Sequence, residues 1–145
     1  MNSIGGVAAL TFGALLSASA HGTVIDTTPF WDRNLWISGF GDGRFTRDFS
    51  TIGQIFTVPS AEPVLDSFSF WINDDIESTR YTDFSAYVMS WDGGRAAGPI
   101  LYSTVQQTTT NNHGLGGWEE FTFNTGGLKL VGEQSYIAFL GACRT

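Results

Sequence analysis

Apolar residues recur at every second position along much of the sequence, and this period restricts the fold more than any other feature. The segment LDSFSFWIN places Phe68, Phe70 and Ile72 on one side of an extended chain and Trp71 on the other. The same alternation occurs in FSAYVMSW, WEEFTFNT and SYIAFLG, and GQIFTV and ILYSTVQQ have the composition of further strands. A period of two with aromatic and β-branched residues is typical of half-buried β-strands.

Turn-forming segments separate these runs. They include GFGDG, VPSAEP, WDGGRAAGP, NNHGLGG, NTGG and VGEQ. The sequence contains 18 glycines, and no long stretch after the first twenty residues has the period of a helix. Many short strands at this spacing predict an all-β fold, an antiparallel β-sandwich.

The first twenty residues have the features of an export signal. An apolar run without charge is followed by the small residues Ala18, Ser19 and Ala20, which form an A-x-A cleavage site. The run is too short for a comfortable transmembrane span. We therefore expect a signal-peptide helix over residues 1–20, a single β-sandwich domain over 21–145, and no membrane span in the mature form.

Charge and cysteine content limit the partners and the means of stabilisation. The formal net charge is −7, which argues against binding to nucleic acid, because such proteins carry a basic surface. Cys143 is the only cysteine, so the chain cannot form an internal disulfide. The domain must fold by packing alone.

Three segments resemble a known family. GQIFTVPSAEPVLDSFSFWI, FSAYVMSWDGGRAAGPILYST and WEEFTFNTGGLKLVGEQSYIAFLG are similar to exported bacterial β-sandwich domains, many of which carry a PEP-CTERM surface-sorting tail. The wider pattern is similar to jelly-roll modules of the carbohydrate-binding type. The resemblance covers about residues 50–141 and implies a jelly-roll-like fold and a secreted or cell-envelope location in a bacterium. It implies no particular activity.

The C-terminal end departs from this family. The chain ends at FLGACRT, without the Pro-Glu-Pro motif, apolar span and basic cluster of the sorting tail. We therefore expect a sandwich truncated at its C-terminus, with SYIAFLG as an unpaired edge strand. Such an edge would favour self-association, which Cys143 could lock through an intermolecular disulfide.

Two histidines raise the alternative of copper chemistry. Cleavage after Ala20 would make His21 the N-terminal residue, and the sequence then resembles lytic polysaccharide monooxygenases that mature at His-Gly. A copper site would need His113 as its second imidazole ligand. His113 lies in a turn rich in glycine and asparagine, where nothing nearby would orient its ring.

The acidic segment NDDIESTRYTD is the candidate cation site. Its spacing excludes an EF-hand, because Ser78 replaces the required glycine and Phe84 replaces the closing glutamate. Asp74, Asp75 and Asp83 could still supply oxygen ligands to one structural calcium ion. The alternative is a solvated loop in which Arg80 balances part of the charge.

Aromatic residues are the candidate ligand contacts. Trp71, Tyr87 and Trp91 fall on the strand faces opposite the phenylalanine-rich ones, where they could form a platform that stacks on sugar rings. The alternative is that both faces of the strands are buried. Hydrolase chemistry is not supported, since Glu119 and Glu120 are adjacent and point to opposite faces of a strand.

These observations favour an exported, non-catalytic protein of the cell surface or extracellular matrix that contacts polysaccharide. Two alternatives stay open at this point. One is a secreted copper-dependent polysaccharide monooxygenase that uses His21, and the other is a structural or vestigial fragment without a ligand.

Overall fold

The computed structural model describes Ile25 and residues 39–41, 48–72, 81–110 and 118–143. The predicted export signal over residues 1–20, both histidines, and Asp74 and Asp75 lie outside these ranges. Within them the structure consists of strands, turns and loops, and no helix there is long and apolar enough to cross a membrane.

Nine strands occupy the described residues. They are β1 (Gly39–Phe40), β2 (Asp48–Phe49), β3 (Thr51–Thr57), β4 (Val64–Ile72), β5 (Asp83–Trp91), β6 (Ala96–Ser103), β7 (Gln107–Thr108), β8 (Glu119–Lys129) and β9 (Ser135–Ala142). The six segments predicted as strands, four from their period of two and two from their composition, are confirmed as β3, β4, β5, β6 with β7, β8 and β9.

The strands form two facing antiparallel layers. The larger sheet has the order β3-β9-β5-β6, and β7 continues beside β5. The smaller sheet pairs β4 with β8, and a short parallel pair joins β1 to β2. The chain passes between the layers from β3 to β4, from β4 to β5, from β7 to β8 and from β8 to β9. The predicted antiparallel β-sandwich is confirmed.

The core lies between the two sheets and is largely aromatic. Phe84, Ala86 and Leu140 of the larger sheet are fully buried against Ile72 and Phe123 of the smaller sheet. Phe84 is the centre of this packing. Its ring meets Phe40 edge-on at a centroid distance of 5.6 Å and Phe121 at 5.0 Å. Edge-to-face contacts of this kind add to the gain from burial.

A second apolar cluster closes one end of the sandwich. It contains the buried residues Val58, Leu130 and Tyr136. The Tyr136 hydroxyl accepts a hydrogen bond from the backbone N–H of Val131 at 2.9 Å, so this buried phenol has a partner. Along one side, the Tyr102 hydroxyl of β6 donates to the Asn124 carbonyl of β8 at 2.9 Å and joins the two layers.

The position of β9 contradicts one expectation from the sequence. SYIAFLG was predicted to be an unpaired edge, but β9 lies inside the larger sheet, with β3 on one side and β5 on the other. Both ladders are antiparallel and continuous along the strand. The backbone groups of β9 are therefore used within the sheet, and any self-association must use a different edge.

The predicted turn NTGG is also wrong. Strand β8 continues through this segment and forms a bulge, where the register with β4 shifts between Leu65 and Ser67. Gly126 and Gly127 have φ angles of 71° and 83°, which favour glycine. The Thr125 hydroxyl donates to the Leu65 carbonyl across the bulge, so the interruption is held by a side chain.

Replacing Phe84 by alanine tests the importance of the aromatic core. Phe84 is 0% exposed, so we expect Phe84→Ala to lower the free energy of unfolding by about 3–5 kcal/mol. The matched control is Phe49→Ala, which removes the same side chain from a site that is 54% exposed. Denaturant unfolding should show a much smaller loss for the control, and equal losses would contradict this description of the core.

Candidate functional site

The outward surface of the larger sheet carries a continuous patch of apolar side chains. In β5, Phe84, Ala86 and Val88 are buried, so the side chains between them point outward. In β9, Tyr136, Ala138 and Leu140 are buried, and the side chains between them point outward as well. We call the resulting patch the outer apolar face. Its members are Ile55, Tyr87, Met89, Trp91, Ile137 and Phe139. Ile55 is 42% exposed, and the other five are half-buried.

The centre of this face is an aromatic pair that spans two strands. Tyr87 lies directly opposite Phe139 in the β5–β9 ladder, and their rings stack with a centroid distance of 5.1 Å and an interplanar angle of 23°. Met89 lies opposite Ile137 in the next outward row. Cross-strand pairs of this type stabilise a sheet. They also hold the exposed surfaces of the rings in fixed positions.

Two glycines make room for the side chains of this face. A Cβ atom on Gly53 would lie 2.7 Å from the Phe139 Cβ and 2.9 Å from the Ala138 carbonyl oxygen. A Cβ atom on Gly141 would lie 3.4 Å from Cε2 of Tyr87. The Tyr87 ring therefore leans over Gly141, and β3 approaches β9 closely at Gly53.

The outer apolar face has hydroxyl groups beside it but no charge among its outward positions. Thr57 and Ser135 share a hydrogen bond of 3.1 Å between their side-chain oxygens at the end of β3 and β9. The outward positions of β3, β5 from Ser85 onward, and β9 are Thr51, Gly53, Ile55, Thr57, Ser85, Tyr87, Met89, Trp91, Ser135, Ile137, Phe139 and Gly141. None of these residues is ionisable at neutral pH.

A hairpin held by side-chain hydrogen bonds follows Trp91. The Asp92 carboxylate accepts hydrogen bonds from the backbone N–H groups of Gly94 at 3.0 Å and Arg95 at 2.9 Å, and it pairs with the Arg95 guanidinium at 3.3 Å. The Gly94 amide, followed by the Arg95 amide, lowers the pKa of Asp92 below its ordinary value of 3.8. The turn that positions Trp91 at the end of β5 is therefore held by an ionised side chain.

The structure separates the three aromatics that the sequence grouped as one platform. Tyr87 and Trp91 lie on the same outward face of β5, two pleats apart. Trp71 lies on β4 opposite Glu120, on the outward face of the smaller sheet. The alternation correctly indicated that each points away from the phenylalanine-rich side, but the sandwich places Trp71 and the other two on opposite surfaces.

The alternation in the sequence placed Tyr87 and Met89 on one face of β5, but it did not predict that Phe139 and Ile137 lie opposite them. The alternation in SYIAFLG does place Ile137 and Phe139 on one side of their strand, so the sequence indicated that they belong to one surface. Their contact with β5 depends on the pairing of segments about fifty positions apart, and the period of two does not encode that pairing.

The predicted metal sites fall mainly outside the described residues. Asp83 is the one member of the predicted calcium set within them, and its carboxylate accepts a hydrogen bond from the Thr108 hydroxyl at 2.6 Å. This contact joins β5 to β7. Among the described residues there is no group of three or more histidine, cysteine, aspartate and glutamate side chains that could hold a metal ion. His21 and His113, which the copper alternative would need as ligands, also lie outside the described residues, so that alternative stays open.

Comparison of the chain with protein-family models, with curated proteins and with solved structures gave no match.

Substitution of Gly53 tests the close packing at this face. We expect Gly53→Ala to lower the free energy of unfolding by about 1–3 kcal/mol, because the new methyl group would overlap the Phe139 Cβ and a backbone carbonyl. Gly94→Ala is the control, since the nearest atom to its Cβ is 3.9 Å away. Chemical denaturation of both variants should separate them, and equal stabilities would contradict the close approach.

The Asp92 turn makes a prediction about pH. Because the folded pKa is lowered, the carboxylate stabilises the hairpin above the ordinary value of 3.8, and this contribution is lost as the pH falls through the folded pKa. In an NMR titration, the amide shifts of Gly94 and Arg95 should follow a pKa below 3.8. Asp92→Asn keeps an acceptor oxygen and should remove the titration, whereas an unchanged titration in this variant would assign it to another group.

Proposed function

We propose that the protein is an exported, non-catalytic binding protein of the bacterial cell surface or matrix, and that its outer apolar face contacts neutral polysaccharide. The observation that carries the proposal is the stacked pair of Tyr87 and Phe139, half-exposed on the outer surface of a rigid sheet. Sugar rings present apolar C–H faces that pack on aromatic planes, and adjacent polar groups orient them.

The charge distribution supports a neutral ligand. The outward positions of β3 and β9, and those of β5 from Ser85 onward, carry no ionisable group at neutral pH, while the whole chain has a net charge of −7. An anionic polysaccharide would be repelled by the chain and would find no cation on this face. A neutral polysaccharide is not repelled by the net charge of the protein and needs no cation for binding. Hydroxyl groups such as those of Thr57 and Ser135 lie beside the apolar patch.

The shape of the surface supports binding without catalysis. In the part of the chain that the structure describes, the face is the outward side of a sheet without paired carboxyl groups, and catalysis of glycoside hydrolysis needs two carboxyl groups on either side of the bond. The outward side of a sheet can hold a polymer lying across its strands. The export segment and the resemblance of residues 50–141 to surface-sorted domains support the proposed location.

Binding to insoluble neutral polysaccharides, measured by depletion from solution, tests this proposal. Trp91→Ala and Tyr87→Ala should each weaken binding about tenfold or more, which corresponds to about 1.4 kcal/mol of lost contact. Trp71→Ala is the matched control, because Trp71 is also half-buried but lies on the opposite surface.

Equal loss of binding in all three variants would indicate a general effect on folding, which thermal unfolding of the variants would reveal. Loss only in Trp71→Ala would move the site to the smaller sheet. No binding to any neutral polysaccharide would reject the proposed function.

A further inference from the structure

The free side of β3 is a surface that the proposed function does not use. Among the described residues, β3 is paired only with β9, so it forms one border of the larger sheet. Five of its seven residues are exposed: Thr51, Gly53, Gln54, Ile55 and Thr57. An exposed strand at the border of a sheet presents unpaired backbone groups to solvent.

The hydrogen bonds at the two ends of β3 show which backbone groups face outward. Val58 donates its N–H to the Gln134 carbonyl at 3.0 Å, and the Ser50 carbonyl accepts from Ala142 at 2.8 Å. Since these groups alternate along a strand, the even-numbered residues bond to β9 and the odd-numbered residues face away from it. One of these outward groups, the Ile55 carbonyl, accepts a hydrogen bond from the side chain of Gln54 at 3.0 Å.

Other borders of the described sheets carry features that oppose strand addition, and β3 lacks them. Strand β6 contains Pro99 next to Gly98, whose φ is 73°, and its ladder with β5 is interrupted. Strand β8 carries Glu119, Glu120 and Lys129. Proline, charge and bulges are the usual protection of an edge. The sequence TIGQIFT of β3 contains neither proline nor charge.

The sequence of β3 is also complementary to itself when one copy is reversed. With Gln54 at the centre, the opposed pairs are Thr51 with Thr57, Ile52 with Phe56, Gly53 with Ile55, and Gln54 with Gln54. Hydroxyl meets hydroxyl, apolar meets apolar, and the missing side chain of Gly53 leaves room for Ile55. Each odd-numbered residue meets another odd-numbered residue, so the outward-facing N–H and C=O groups are in register.

We propose that β3 pairs with β3 of a second copy of this chain, antiparallel and about a two-fold axis at Gln54. About eight backbone hydrogen bonds would form, because four odd-numbered positions each meet a partner with which two bonds are exchanged. The contact is isologous, since the same strand contributes from both copies.

The structure also limits the length of this contact. At one end β1 lies beside β2, where Gly41 donates its N–H to the Phe49 carbonyl at 3.2 Å and uses an outward group. At the other end Pro59 follows the strand and has no N–H to donate. The pairing is therefore confined to Thr51–Thr57, and the centre of that range is Gln54.

The first experiment blocks the backbone of β3 in the Cys143→Ser protein. Ile55→Pro removes an N–H that faces outward and is not needed by β9, and the edge of a sheet is where proline is tolerated. Ile55→Val is the control, because it keeps the N–H and most of the side chain. By sedimentation velocity we expect dimers for the Cys143→Ser parent and for Ile55→Val, and monomers for Ile55→Pro. A monomeric parent, or a dimer that persists in Ile55→Pro, would overturn the proposal.

The second experiment does not depend on the proline variant being folded. In the proposed pairing the two Gln54 Cα atoms are about 4.5 Å apart, which a disulfide can span. Gln54→Cys in the Cys143→Ser protein should form a covalent dimer under mild oxidation. Thr51→Cys is the control, because the two copies of residue 51 would be about 20 Å apart. No covalent dimer from Gln54→Cys, or equal yields from both variants, would overturn the proposed register.

Discussion

The pairing of β5 with β9 is the contact on which both surfaces of the larger sheet depend. In this ladder Ala86 lies opposite Leu140 on the inward side, and Tyr87 lies opposite Phe139 on the outward side. A slip of one residue in either strand would exchange the faces, moving Leu140 to solvent and Phe139 into the core. The register is therefore fixed by the packing of Phe84, Ala86 and Leu140 against the smaller sheet. The aromatic pair on the outside is placed by contacts made on the inside.

Burial on one side of this ladder has to supply the stability that a disulfide gives to many exported domains. The only cysteine is Cys143, so cross-linking within the chain is excluded. The phenylalanines compensate through contacts that are mostly edge-to-face, such as that of Phe84 with Phe121 at 5.0 Å and interplanar 90°. Such packing needs large rings at definite positions, and phenylalanine accordingly recurs at the inward positions of β4, β5 and β8.

The sequence predicted the strands well because their signal is local. The period of two places Phe68 and Phe70 on the side opposite Trp71 without knowledge of any partner strand. The predictions from the period of two were wrong where the structure depends on which distant segments pair. The internal position of β9 and the separation of Trp71 from Tyr87 both follow from which strands pair, and alternation within one strand carries no information about pairing. The NTGG segment failed for a local reason, since two glycines at positive φ serve a bulge as well as a turn.

The two outward surfaces of the sandwich differ in a way that the core does not require. On the smaller sheet, Ser69 and Thr122 share a hydrogen bond of 2.7 Å, and Glu120 lies opposite Trp71, so polar side chains occupy most of these outward positions. On the larger sheet, the corresponding positions along β3, β5 and β9 hold the six side chains of the outer apolar face. The core does not require apolar residues at these outward positions, because the smaller sheet packs against the same core with polar residues at most of its own. Exposed apolar area lowers solubility, and its retention on one surface beyond what the core requires is typical of a contact site.

The edge of β3 that is unpaired among the described residues adjoins the outer apolar face through Ile55. Pairing of two copies would therefore place their outer apolar faces side by side on one continuous sheet. A long polymer could then contact both faces, and contact with the second face would add binding energy without a further loss of translational freedom.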